Sequence, residues 1–104
     1  MSKIKVIIKR SFEQYGRERE IENTLEALQG IVGGNIETFT PASDMVVICN
    51  EEGLLKNMPF NCTIFGVDFV GPIIIAGVDG EEFTDCPISF RTWQMFLGMK
   101  EEGR

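Results

Sequence analysis

"NTLEALQGIVGGNIETF" (residues 23–39) reads as a helix that meets two glycines and leaves as a strand. Asn23 is a favoured N-cap residue, and Glu26 three positions later completes a capping-box pattern, so a helix is predicted from about Thr24. Leu25, Leu28 and Val32 recur at helical spacing, with Ala27 and Ile31 widening the apolar stripe. Gly33 or Gly34 then supplies the left-handed conformation that ends a helix. Glycine loops that cradle phosphate lie before a helix, where free N–H groups and the positive end of the dipole meet the anion. These two glycines lie after one, at its negative end, and therefore read as structural.

The flanking segments predict a sheet for this helix. "KIKVIIKR" (3–10) sets Lys3 and Lys5 against Ile4 and Val6 and is β-branched, as expected of a strand with one buried face. The polar "SFEQYG" (11–16) reads as a turn and "REREI" (17–21) as a returning, more exposed strand. "NIETFT" (35–40) and "MVVICN" (45–50) form a hairpin around "PASD". In "GLLKNMPFNC" (53–62), Leu54, Leu55 and Met58 allow one helical turn, and Pro59 forbids a long helix. "FVGPIIIAGV" (69–78) is the strongest buried-strand signal, with Pro72 at its start, on an edge or at a bulge. Asp79-Gly80 is a tight turn into "EEF".

Asp85 or Ser89 caps a C-terminal helix containing "PISFRTWQMFL", with Pro87 in its first turn and Gly98 ending it. Phe90, Trp93, Phe96 and Leu97 form its apolar face. The predicted architecture is one α+β domain over 1–104, mostly antiparallel sheet, with an N-terminal hairpin, a helix after it and the C-terminal helix packed on the sheet. Its ordered core spans about 3–98, and 99–104 forms a frayed tail.

Composition agrees with a globular domain. With 43% apolar and 25% charged residues, the chain resembles neither a disordered nor a fibrous protein. A domain of this length buries roughly 65% of the surface its unfolded chain exposes. The run "GPIIIAGV" (71–78) is far short of the roughly 20 residues that span a bilayer, and no apolar signal segment follows the basic start. A cytoplasmic protein without membrane association is expected. Cys49, Cys62 and Cys86, at spacings of 13 and 24, suit reduced thiols acting as small buried hydrophobes. Residues 1–19 carry six Lys/Arg and two Glu, net +4, whereas 20–104 carry net −10, giving −6 in all. Such an acidic body disfavours nucleic acid as a partner.

Three stretches, "NTLEALQGIVGGNIE", "VVICNEEGLLKNMPFN" and "VGPIIIAGVDGEEF", in this order and spacing resemble the domain-of-unknown-function family numbered 3846, over residues 3–97. The resemblance implies an origin in phages, plasmids or integrated elements of gut Firmicutes. It carries no catalytic signature and assigns no functional residue. Asn61, Gly33-Gly34 and Gly71 match the family pattern, but where members continue from the asparagine into a basic residue this chain has Cys62.

The chain has no histidine, which removes Ser-His-Asp and Cys-His catalysis and the usual zinc sets. Its cysteines lack CxxC spacing, and "DGEEFTD" fails the calcium-loop pattern. Cys49 has Glu51 and Glu52 close by, which oppose a reactive thiolate. Neither an enzyme nor a cofactor or metal is therefore expected. The basic hairpin, with Lys9, Arg10, Arg17 and Arg19 and with Phe12 and Tyr15 at its tip, is a candidate ribbon for single-stranded nucleic acid. Read otherwise, it is a solvated face interleaved with Glu13, Glu18, Glu20 and Glu22.

Trp93, Met95, Phe96 and Met99 form either a docked core helix or a candidate surface for a protein partner or homodimer. The expected function is a non-catalytic protein-binding or regulatory protein of a phage or mobile element. Alternatives are nucleic-acid binding through the basic hairpin and inhibition of a host defence nuclease by an acidic surface.

Overall fold

The longest apolar run divides between two sheets. In the computed structural model, which describes residues 2–102 and side chains as far as Gly98, the run breaks at Gly71-Pro72 into β6 (Val67–Val70) and β7 (Ile73–Asp79). Gly71 takes φ +73°, and a Cβ there would lie 2.6 Å from Met58 Sδ, so the break needs glycine. Pro72 follows ahead of β7, where its missing N–H interrupts no ladder.

β7 becomes the middle of a mixed-length antiparallel sheet. β1 (Lys3–Lys9) and β2 (Arg17–Glu22) form the N-terminal hairpin, while β3 (Ile36–Ala42) and β4 (Met45–Asn50) form a second one. The order is β2-β1-β7-β4-β3, with β8 (Glu82–Thr84) added to the end of β7. β5 (Phe60–Ile64) pairs only with β6, making a separate two-stranded sheet.

Alternation along these strands creates two cores. Ile4, Val6, Ile8, Val46, Ile48 and Ile74 face α1 (Leu25–Val32), which contributes Leu28 and Val32. Ile7, Val47, Ile73 and Ile75 face the opposite way, where Ile64 and Phe69 of the β5–β6 hairpin and Trp93 and Leu97 of α2 (Phe90–Glu102) cover them. Both faces of β7 are thus dry, which explains why Ile73–Ala76 reads as a continuous apolar run rather than an alternating one. The α+β class, the antiparallel sheet and the C-terminal helix packed on it match the reading from sequence.

The glycine pair ends α1. Gly33 takes φ +87° and donates to Gln29 O at 2.8 Å, and Asn50 Nδ2 adds a bond to Val32 O at 3.1 Å. Gly34 makes room for that amide, because a Cβ there would sit 2.9 Å from Asn50 Nδ2.

Several local details differ from expectation. The N-cap is Thr24, whose hydroxyl accepts from Ala27 N at 3.1 Å, rather than Asn23. Asn23 is held in the hairpin ladder by Ser2 O and turns its side-chain amide to Phe83 O. Of the two expected caps of α2, Ser89 is the one used, accepting from Thr92 N, while Asp85 is engaged by Lys5 N. Pro87 precedes this helix, which continues through Gly98. The expected tail over 99–104 overlaps the end of α2, which runs to Glu102, and residues 103 and 104 lie outside the described residues. The β5–β6 hairpin lacks the usual Asn-Gly signal. Its two-residue turn is Phe65-Gly66, both with positive φ, as a type I′ loop requires.

No helix among the described residues is long and apolar enough to cross a membrane, a statement that leaves β-barrels aside.

Candidate functional site

β3 forms one edge of the main sheet, and its Glu37 and Phe39 face the same side as Cys49 and Val47 of β4. The β5–β6 hairpin packs onto this side, with the Phe39 and Phe69 rings 5.9 Å apart. At the end of β4, Asn50 organises the chain that follows. Its Oδ1 accepts from Glu52 N at 2.7 Å while its Nδ2 reaches Val32 O. Buried Gly53 presses against β6, where a Cβ would lie 2.8 Å from Val70 Cγ2. Bonds from Lys56 N to Glu52 O and from Met58 N to Gly53 O close a single helical turn, which Asn57 ends at φ +56°.

With Gly53 pinned inward, that turn points the next two side chains out: Leu54 is 82% exposed and Leu55 84%. Between the turn, β3, the end of β4 and β6 lies an open cleft of about 480 Å³. Phe39, Cys49, Leu54, Leu55, Val67 and Val70 supply apolar lining. Glu37, Glu51 and Asp68 also line it, and among the described residues no Lys or Arg does. Asp68 is steadied by Thr63 Oγ1, which donates to its Oδ1 at 2.6 Å.

The cleft is poorly suited to thiol chemistry. Burial pushes the Cys49 thiol up, and the Glu37 carboxylate pushes it further. Burial likewise raises Cys86, with the Ile88 backbone partly offsetting it and Glu18 adding to it. Cys62 is buried. Among the described residues no group of three His, Cys, Asp or Glu side chains is placed to hold a metal ion.

The family model described as "Domain of unknown function (DUF3846)" matches residues 4–96. The chain belongs to this family. No curated protein and no solved structure matches it. In this DUF3846 protein the matched region contains every residue that lines the cleft.

The candidate surface on the C-terminal helix of this DUF3846 fold is divided between core and solvent. Trp93 is fully buried, and its indole N–H donates to Tyr15 O at 2.8 Å. It is therefore a core residue, because the hairpin and sheet together cover what one sheet face would leave open. Half-buried Phe96 stacks on Trp93 at 6.0 Å and meets Phe65 at 5.7 Å, while Met95 is exposed. The Met99 side chain lies outside the described residues.

The four basic positions of the hairpin are not brought together. Lys9 faces the core side beside Ile73, only 4% exposed, and its Nζ donates to Asn61 Oδ1 at 2.8 Å. Arg17 and Arg19 lie opposite Ile8 and Val6, on the α1 side of the sheet, and Arg17 is 3.9 Å from Glu13. Arg10 is exposed in the loop, where Phe12 projects but Tyr15 turns back to the core.

Sequence reading missed Leu54 and Leu55 as surface residues. No sequence signal marks them, because consecutive residues on a helical turn can share one core, as Phe96 and Leu97 do in α2.

Proposed function

We propose that this DUF3846 protein is a non-catalytic binding or regulatory protein of a phage or mobile element, acting in the cytoplasm through protein contacts. The observation that carries this reading is the pair Leu54 and Leu55, held in water beside an apolar cleft by the buried anchors Asn50 and Gly53. Large apolar side chains grouped at a cleft and rimmed by charge are the raw material of interface cores. The raised Cys49 thiol supports contact rather than chemistry there. An inhibitor of a host defence nuclease is one member of this class. Binding of nucleic acid through the hairpin draws no support from the inward position of Lys9.

The test is capture from a Firmicute lysate by the tagged full chain, compared with a Leu54→Ser, Leu55→Ser variant. Both positions are exposed, so the variant should keep the wild-type circular dichroism. Retention of the same protein by the wild type and its loss from the variant is the expected result. A monomer by light scattering that retains nothing counts against the reading.

A further inference from the structure

We infer that the cleft takes an apolar segment of a partner protein flanked by lysine or arginine, an inference that rests on the binding reading above. The argument is charge complementarity around an apolar centre. Leu54, Leu55, Val67 and Val70 offer the apolar contact, while Glu37, Glu51 and Asp68 line the same space without a lining cation among the described residues. The nearby Lys56 is already 3.7 Å from Glu52. Three carboxylates of one sign around an apolar centre complement a cationic flank and disfavour an anionic one. Glu37 lies beside Cys49 across the β3–β4 pair, where burial first and then its carboxylate push the thiol up.

Other occupants fit less well. A second copy of this chain would bring the same three carboxylates to the interface, on a protein of net charge −6. A phosphate backbone or an acidic peptide would meet like charge at the rim. A volume near 480 Å³ falls within the usual range of about 300–1,000 Å³ for binding pockets and suits a few side chains rather than a whole domain face.

The experiment is selection from a random linear-peptide display library on the immobilised full chain, with the Leu54→Ser, Leu55→Ser variant as counter-selection bait. Enriched peptides should carry one or two large apolar residues between Lys or Arg. Their affinity should fall about tenfold or more in a Glu37→Gln, Glu51→Gln, Asp68→Asn variant, and should weaken with added salt. All three carboxylates are exposed, and wild-type circular dichroism of that variant verifies that folding is intact. Neutral or acidic consensus peptides, affinity unchanged in the triple variant, or no enrichment over the counter-bait would each overturn the inference. If a lysate partner is nevertheless retained independently of Leu54 and Leu55, protein binding stands and only the cleft assignment fails.

Discussion

Lys9 Nζ donates to Asn61 Oδ1 at 2.8 Å, and Asn61 Nδ2 donates to both Lys9 O and Gly71 O at the same distance. One buried amide thereby ties the end of β1, the start of β5 and the crossover from β6 to β7. Asn61→Ala leaves a buried ammonium without this acceptor and two carbonyls without their donor. We predict a loss of about 3 kcal/mol in urea denaturation. Lys9→Met removes the charge itself and should be the milder change. The reverse ranking would show that the asparagine is dispensable.

Gly77 and Gly98 should respond oppositely to alanine. A Cβ on Gly77 would lie 2.2 Å from Asp85 O and 2.4 Å from Thr84 Oγ1, so Gly77→Ala must push the β8 connection away. A loss of about 2–4 kcal/mol is expected. At Gly98, inside α2, nothing lies within 4 Å of the added methyl. Gly98→Ala should gain up to about 1 kcal/mol from helix propensity. Thermal melts of the two variants, moving in opposite directions, check both statements.

Phe65 occupies φ +49°, a conformation suited to glycine or asparagine. Relief of that strain, about 1–2 kcal/mol, opposes loss of its ring contact with Phe96, worth about 0.5–1.5 kcal/mol. Phe65→Asn should therefore leave stability within about 1 kcal/mol of wild type. A large loss would mean that the hairpin tip depends on the aromatic pair.

Alkaline pH should weaken the fold through its thiols. Cys49 and Cys86 are raised on folding, so as pH increases the unfolded chain releases these protons before the native one does. Their contribution is complete below the ordinary thiol range and is lost as pH rises through the folded values. Urea midpoints should decline over that range, with a shallower decline in a Cys49→Ser, Cys86→Ser variant. An unchanged slope would contradict the assignment.

What was legible in sequence is what local chemistry dictates. The stripe of Leu28 and Val32 and the stop at Gly33 required only neighbours a turn away. The apolar runs around Val47 and Ile75 announced strands because β-branched residues suit a pleated sheet. The β5–β6 hairpin was hidden by a Phe-Gly turn that only tertiary packing makes tolerable. Lys9 looked exposed because its partner Asn61 is 52 positions away. Trp93 stayed open between core and surface for the same reason, since the hairpin that helps to bury it was not foreseen. For the cleft, the two leucines were visible as a pair, but their meeting with Glu37 and Asp68 depends on how β3 and β6 pack.

Cys49 reports on the cleft from within, and Cys86, bonded through its backbone N–H to Lys5 O on the β1 side, serves as an internal control. The most direct measurement is the alkylation rate of each thiol, read by mass spectrometry, with and without a saturating basic, apolar-centred peptide from the selection. Occupation of the cleft predicts that Cys49 slows by about tenfold or more while Cys86 keeps its rate. An unchanged Cys49 rate at saturation, or equal slowing of both thiols, would place the peptide elsewhere and contradict the account.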